Sequence, residues 1–582
     1  MRKWNKLLAL LLAMVMVLGL NVTALAEEAT TASGDIVVLY TNDVHTYIDN
    51  GDEEEAGLRY SNVAALKDEL AAAGNNVLLV DAGDAIQGTA YGSMDKGATI
   101  VKLMNAAGYD LATLGNHEFD YGMSGAMNAI EWAEYPYVSC NFYNEKDGVV
   151  GETVLDSYKV FEANGMKIAF IGITTPESFT KSTPAYFQDE NGNYIYGIAG
   201  GTDGAALYAA VQTAIDAASA EADLVIALGH LGDDPASQPW TSEEVIANTT
   251  GLDAFIDGHS HSTVSGKEVA DKAGNTVLLT QTGEYLGAIG KMTISADGTI
   301  ATELITEYAG VDADVKAIED AWITEIDTQL GKVIGSIDAT LDNYDADGKR
   351  LVRSQETNTG DFAADALYYL FDNMGLDVDF AIMNGGGVRN KAITGEISYK
   401  TCKEIHTFGN VACLQTITGQ QLLDALEWGA RFAGNGQENG GFLHVSGMTY
   451  KIDSAYPEST VADDKGVWVS GPTAGYRVHD VKVYNKETGA YEALDLAANY
   501  NLAGYNYTLR DLGDGFAMFD GAVNVLDYVM EDYMVLANYV QGFEGGVVEA
   551  ANSPLLAKYP GILLDYGTVN GSGRIEIAEV TK

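Results

Sequence analysis

The segment "LGNHEFDYG", residues 114–122, crowds Asn116, His117, Glu118 and Asp120 into one turn directly after the apolar "DLAT". Four other segments end apolar runs in the same way: "YTNDVH" with Asp43 and His45, "DAGD" with Asp84, "ALGH" with His230, and "DGHSH" with His259 and His261. Taken singly, each is ordinary. Asn and Asp are favoured turn residues, and a histidine at a strand end is more often a hydrogen-bonded structural group than a ligand. Taken together they hold five of the eight histidines, whereas histidines used as core filler or surface groups would scatter. Imidazole, carboxylate and amide oxygen suit divalent ions of the zinc, manganese or iron type, and the lack of cysteine in these segments argues against a purely structural zinc site. One carboxylate shared by two ligand sets allows two ions about 3.5–4 Å apart, the spacing that clamps the attacking and leaving oxygens in phosphoryl transfer. Asp84 is the natural bridge.

Such a cluster requires elements that bring distant residues to one edge. From Asp35 to about Ala301, short apolar runs alternate with alanine-rich helical stretches: "DIVVLY", "NVLLVDAG", "DLATLG", "YPYVSC", "KIAFIGIT", "DLVIALG", "AFIDG" and "TVLLTQ". Several are apolar without alternation, as in strands buried on both faces, and the order predicts an α/β arrangement. In such sheets, binding groups collect outside the carboxyl ends of the strands. Val311, Val315, Ile318, Trp322, Ile326 and Leu330 then step by three or four with acids on the other face. This spacing predicts an amphipathic helix ended by Gly331 and serving as a connector. A second unit follows, with "DFAADALYYLF", "DFAIMNGG", "GQQLLDALEWG" and "GFLHVSGMTYKI" as its elements. No short-period repeat or low-complexity tract is present.

At 582 residues the chain exceeds what one core supports, so at least two domains are expected. Met1 to Ala26 combines Arg2, Lys3 and Lys6 with an apolar run from Leu7 to Leu20 and the small-residue ending "ALA". It reads as a signal peptide cleaved near Ala26, too short in its apolar run to span a bilayer. No second run of spanning length exists, so a secreted, extracytoplasmic product without a transmembrane segment is expected. A net charge of −50 repels nucleic acid polymers and disfavours anionic substrates, so a phosphate ester would need local cations. Cys140, Cys402 and Cys413 are too few for a disulfide framework and read as buried thiols.

In this order the motifs resemble the calcineurin-like metallophosphoesterases and, within them, the 5'-nucleotidase family, which includes bacterial periplasmic UDP-sugar hydrolases and animal ecto-5'-nucleotidases. The resemblance runs from "YTNDVH" to the terminal "GRI". It implies an N-terminal metallophosphoesterase α/β sandwich joined by a helix to a C-terminal α+β 5'-nucleotidase domain. The corresponding boundaries are a signal peptide at 1–26, a catalytic domain at 35–310, a linker helix at 311–335 and a substrate-binding domain at 336–582. It further implies two divalent metal ions, zinc, manganese or similar. Asp43, His45, Asp84 and His261 would hold one, and Asp84, Asn116, His230 and His259 the other. His117 and Asp120 become the catalytic pair: the imidazole stabilises transition-state charge or protonates the leaving oxygen, and the carboxylate orients it. Glu118 receives no role, and a solvated or helix-capping position is expected. A metal-bound water would attack phosphorus in line.

In the second unit, "RSQETNTGDFAADA" and "NGGGVR" resemble the family's signature segments and assign Arg353 and Arg389 to phosphate, with Asn384 supporting. Arg350 is a further candidate, because some relatives carry a second Arg at the position of Lys349. "HTFGN" resembles a Pro-Phe-Gly-Asn element with Thr407 for Pro, and Phe408 would stack on the base. "NYTLRDLGDGF", one residue longer than in some relatives, supplies Tyr507 as the second aromatic wall and Asp514 as a nucleoside contact. Rotation of the two domains about the connector, with a hinge near 311–335, is also implied. The expected function is a secreted dinuclear-metal 5'-nucleotidase acting on nucleoside 5'-monophosphates. Alternatives are a 2',3'-cyclic-nucleotide 2'-phosphodiesterase/3'-nucleotidase, a UDP-sugar hydrolase and, from another class, a non-catalytic surface nucleotide-binding protein.

Overall fold

The computed structural model describes residues 34–50, 57–146, 148–527, 529–549, 554–563 and 566–578. The expected signal peptide, 1–26, lies outside them. Strands β1 (Ile36–Thr41), β2 (Asn76–Asp81) and β3 (Leu111–Thr113) run parallel in one six-stranded sheet, flanked by Tyr137–Val138 on one side and the antiparallel strands Ile289–Ile294 and Ile300–Ile305 on the other. A second six-stranded sheet contains β4 (Leu224–His230) and β5 (Ala254–Ile256), again parallel. The two sheets face each other. Val38, Tyr40 and Val80 of the first pack with Phe170, Ile226, Leu228 and Ile256 of the second, and the Tyr40 and Thr280 hydroxyls meet across the layer at 2.6 Å. Their outer faces are covered too: Val37 and Leu39 join the core beneath helix α1 (Tyr60–Ala72), while Ala227 joins Leu207 and Val211. A strand buried on both faces has no polar face to alternate with, which accounts for its continuous apolar run.

The connector is helix α2, Ala313–Leu330. The Asp312 carboxylate caps it by accepting the N–H groups of Asp314 and Val315, and Gly331 follows its last residue. Two features depart from the periodic pattern. Val311 precedes the helix and is 49% exposed. Glu319, one of the acids expected outside, is buried and accepts both the backbone N–H and the hydroxyl of Ser61 at the start of α1, at 2.9 and 2.8 Å. A buried carboxylate is tolerable there because it satisfies donors that the helix start leaves open.

Every sheet beyond the connector is built from strands after residue 332. Helix α3 (Asn358–Asn373) is buried from Asn358 through Phe371 and lies against β6 (Phe380–Asn384) and β7 (Leu443–Ser446) of a five-stranded sheet. Two acids on it, Asp361 and Asp365, enter the core, and the buried Arg574 answers them with two 2.8 Å hydrogen bonds to Asp365. Cys140, Cys402 and Cys413 are buried thiols. Among the described residues, no helix is long and apolar enough to cross a membrane.

Candidate active site

All seven expected ligands stand at or just beyond the carboxyl ends of β1 to β5. The chain leaves those strands under strain: Asp43, His45, Asp84, His259 and His261 all adopt positive φ, between 48° and 80°, a region L-residues rarely occupy. The glycines beside them leave room for this. A Cβ on Gly258 would lie 2.7 Å from His230 Nδ1 and 2.9 Å from Asp43 Oδ2, so the loop can approach the ligands only without a side chain.

The potential ligand atoms gather into three overlapping groups, Asp43/His45/His261, His45/Asp84/His117 and Asp84/His230/His259. Their outward hydrogen bonds set which atoms face inward. His45 Nδ1 donates to the Gln87 carbonyl at 2.8 Å, His230 Nδ1 to the Ala82 carbonyl at 2.7 Å, and His261 Nδ1 is engaged by Glu284. Each ring therefore presents its Nε2 lone pair inward. His45 Nε2 lies 3.1 Å from His261 Nε2, and His230 Nε2 lies 3.0 Å from Asp84 Oδ2. Asp43 Oδ1 sits 3.4 to 3.9 Å from the Nε2 atoms of His261, His45 and His230. Lone pairs and carboxylate oxygens crowded this closely repel unless positive charge lies among them. The charge balance says the same: burial opposes a charge on His230, but Asp84 and Asp43 overcome it and raise the imidazole to about 10 where a proton is the only cation at hand, a place a metal ion would take on the Nε2 lone pair. The donor set thus fits divalent cations.

Asp84 links the groups. Its Oδ2 faces His230 at 3.0 Å and His45 at 3.9 Å, and its Oδ1 accepts the His117 backbone N–H at 2.7 Å. The Asn116 side-chain amide oxygen, Oδ1, is buried without a protein partner. His117 Nδ1 and Asp120 Oδ2 are 2.5 Å apart, which leaves Nε2 as the free ring nitrogen.

A cavity of 540 Å3 opens above these residues, within the range of small-molecule sites. Asp84, Asn116, His117, Asp120, His259 and His261 form part of its wall; Asp43, His45 and His230 lie buried beneath it. The second unit closes the cavity with Arg350, Arg353, Asn384, Arg389, Phe408, Tyr507 and Asp514. Arg350 is bound to Glu438 at 2.8 Å, whereas Arg353 reaches Glu438 only at 4.0 Å and keeps a buried Nε without a partner. Burial and the neighbouring Arg350 and Arg389 bring the Arg353 guanidinium down to about 10, so this wall favours an anion. Arg389 lies 5.7 Å over the Phe408 ring, and Phe408 lies 5.8 Å from the His117 ring. Asn384 donates to Asp514 at 3.0 Å, and Tyr507 donates to the Thr180 carbonyl of the first unit at 3.0 Å.

The calcineurin-like phosphoesterase family matches residues 36–263, and the 5'-nucleotidase C-terminal domain family matches residues 333–521. The chain belongs to the 5'-nucleotidase family of calcineurin-like phosphoesterases. Members of this group are metal-dependent phosphoester hydrolases, and the chain is an enzyme of that type. Protein UshA of Escherichia coli K12 is 26% identical and covers 89% of this chain and 93% of its own length. The 5'-nucleotidase of Rattus norvegicus is 26% identical over 93% of this chain and 95% of its own. The trifunctional nucleotide phosphoesterase protein YfkN of Bacillus subtilis is 26% identical over 87% of this chain, which spans about a third of that longer protein. A solved 5'-nucleotidase precursor from Thermus thermophilus has the same fold, with a TM-score of 0.74, 24% identity, and coverage of 94% of this chain and all of its own.

Within this family framework, the carboxylates behind the ligand loops are what sequence reasoning missed. Glu118 is neither solvated nor a helix cap. It is 1% exposed and accepts the N–H groups of Asp84 and Ala85, both at 2.9 Å, and of Gly115 at 2.7 Å. Asp257 likewise accepts the N–H groups of Leu231 and Gly232. Glu177 accepts from His259 Nε2 at 2.8 Å and from Ser237 at 2.6 Å. Glu118 and Asp257 carried a sequence cue, their places inside the ligand motifs, and Glu177 carried none.

Proposed function

We propose that the chain is an exported two-metal 5'-nucleotidase that releases phosphate from nucleoside 5'-monophosphates. The observation that carries this reading is one cavity with a histidine–carboxylate cage on one wall and three guanidiniums beside an aromatic ring on the other. Asp43, His45, Asp84 and His261 would hold one cation, and Asp84, Asn116, His230 and His259 the second. Two such ions would supply Lewis-acid charge to the reacting phosphoryl group.

The protein's own groups do the rest. Arg353 and Arg389 grip the phosphate and offset a surface otherwise hostile to anions. His117, held through Nδ1 by Asp120, offers Nε2 to the oxygen on which charge develops or which must leave with a proton. Phe408 and Tyr507 flank the base, and Asp514, held by Asn384, accepts from the nucleoside. Residues 35–310 form the catalytic unit and 336–582 the substrate reader, with α2 as the hinge between them. Export through the 1–26 segment supplies the enzyme to extracytoplasmic nucleotides.

The test is a substrate panel assayed with zinc or manganese: nucleoside 5'-monophosphates, 2',3'-cyclic nucleotides, 3'-monophosphates and UDP-sugars. The highest kcat/KM is expected for the 5'-monophosphates. A tenfold preference for a cyclic nucleotide or a UDP-sugar would replace this reading with the neighbouring activity.

A further inference from the structure

Arginines in this chain are generally engaged by other protein groups. Arg574 binds Asp365, Arg510 binds Asp511 and Asp527, Arg350 binds Glu438, and Arg477 donates to three backbone carbonyls. With 83 acids against 33 bases, a guanidinium without a carboxylate calls for a reason. Arg431 is such a case at contact distance, the carboxylates of Asp514, Glu458 and Glu177 acting on it only through space. Among the described residues, no ion pair joins it to a carboxylate, and its one hydrogen bond runs from Nη1 to the Trp428 carbonyl at 3.2 Å. Its guanidinium lies 3.8 Å over the Trp428 ring and 5.2 Å from the Phe432 ring centre, on the cavity wall. Among the described residues, none of its nitrogens is both sealed away and without a partner, and the residue lines the cavity.

Its place in that wall is fixed by contacts that lead to the nucleoside residues. Trp428 Nε1–H donates to the Asp514 carbonyl at 2.8 Å; Asp514 N–H donates to the Tyr507 hydroxyl at 3.1 Å; and the Asp514 carboxylate accepts from Asn384. Arg431 therefore adjoins the Asp514–Tyr507 wall. A guanidinium stacked on an indole is held flat and presents its edge, with donors only. Such an edge matches acceptor oxygens and rejects an amino group.

Resting on the nucleotidase reading, we propose that Arg431 is a specificity-determining residue that donates to an acceptor oxygen on the leaving group, remote from the scissile phosphate. That oxygen belongs to an oxo base, such as a 6-oxopurine, or to a second phosphate on the nucleoside. The enzyme should thus prefer inosine or guanosine 5'-monophosphate to adenosine 5'-monophosphate, or adenosine 3',5'-bisphosphate to adenosine 5'-monophosphate.

The holoenzyme and its Arg431→Met and Arg431→Lys variants would be compared on these substrates and on ribose 5-phosphate, which has neither feature. Thermal melts of each variant report folding. R431M is expected to lower kcat/KM for the preferred nucleotide roughly 10- to 100-fold, the scale of a lost hydrogen bond to a charged donor, with a loss on ribose 5-phosphate at least tenfold smaller. R431K separates the two sources: the compact ammonium keeps a preference for a second phosphate and loses the one for an oxo base, which needs the planar fork. Equal losses on every substrate, or an inosine-to-adenosine ratio and a bisphosphate ratio both unmoved by R431M, would overturn the inference while leaving the nucleotidase reading standing. Turnover of ribose 5-phosphate but of no nucleotide would remove both.

Discussion

Glu118 and His117 are adjacent in sequence yet do separate jobs. His117 faces the cavity with its ring tethered to Asp120, while Glu118 turns inward and ties together the loops that carry Asp84 and Asn116. Replacing His117 with Asn should therefore lower kcat by about 10²–10⁴-fold, the scale of a lost general acid, while bound metal per protein stays constant. Loss of a metal ion together with activity would instead make His117 a ligand, as its place beside His45 and Asp84 permits. Glu118→Ala has the opposite signature. It strands three buried N–H groups, at a cost on the order of 3 kcal/mol, and loosens two ligand loops. The expected result is a lower Tm and metal affinity weakened about 10- to 100-fold, read by melts and metal titration; normal metal affinity would contradict the role assigned to its carboxylate.

At the scale of elements, the eight apolar runs recognised between Asp35 and Ala301 are all strands, because burial on both faces leaves an unbroken apolar signature. The antiparallel strands at the sheet margins, such as Thr263–Ala270 and Ile300–Ile305, mix exposed and half-buried residues and carry no comparable signature. The candidate ligands were legible because a metal cage needs specific side-chain types at strand ends. The carboxylates behind them were not, since an acid that accepts backbone N–H groups looks like any surface acid until the loops close around it. Glu319 was misjudged for the same reason. Helix α3 and strand β7 offer a further case in His444, which donates from Nε2 to the Val352 carbonyl at 2.8 Å and packs against Gly360, where a Cβ would come within 2.1 Å of its ring. Burial holds its imidazole down at about 4, against about 6.5 in an unfolded chain. The unfolded state then binds a proton that the folded state refuses. The contribution is fully present above pH 6.5 and declines toward pH 4 by roughly 3 kcal/mol. His444→Gln keeps a donor for Val352 without titrating, so its Tm should fall less steeply than that of the parent across this window. Parallel Tm profiles would show that His444 is not responsible. Gly360→Ala should destabilise at every pH by displacing the ring.

Across the whole molecule, the metal cage and the arginine wall face each other only because two units meet over a shared seam, and that seam is polar. Gln87, whose carbonyl orients His45, donates through its side chain to Thr407 at 3.1 Å, next to Phe408. Lys400 of the second unit bonds the Tyr91 hydroxyl and the Asp327 carboxylate of helix α2, both at 2.7 Å, and lies 3.7 Å from Asp49. Tyr91 in turn donates to Asp49 at 2.7 Å. One ammonium thus joins both units and the connector. A single partly exposed ion pair contributes little, but here Lys400 is the cation shared by Asp49, Asp327 and Glu404. Burial raises Glu404 to about 7, an effect Lys400 opposes and the two aspartates reinforce. Without Lys400, those carboxylates would repel one another across the seam, and separation of the units about α2 would be favoured. Lys400→Ala should therefore increase the radius of gyration in solution scattering and lower kcat/KM for nucleotides, with metal content unchanged because every proposed ligand lies in the first unit. An engineered crosslink that holds the units apart should abolish turnover and likewise spare the metal. If K400A scattered and turned over like the parent, the seam would be held by packing, and if the crosslinked protein stayed active, catalysis would not need the two walls to meet.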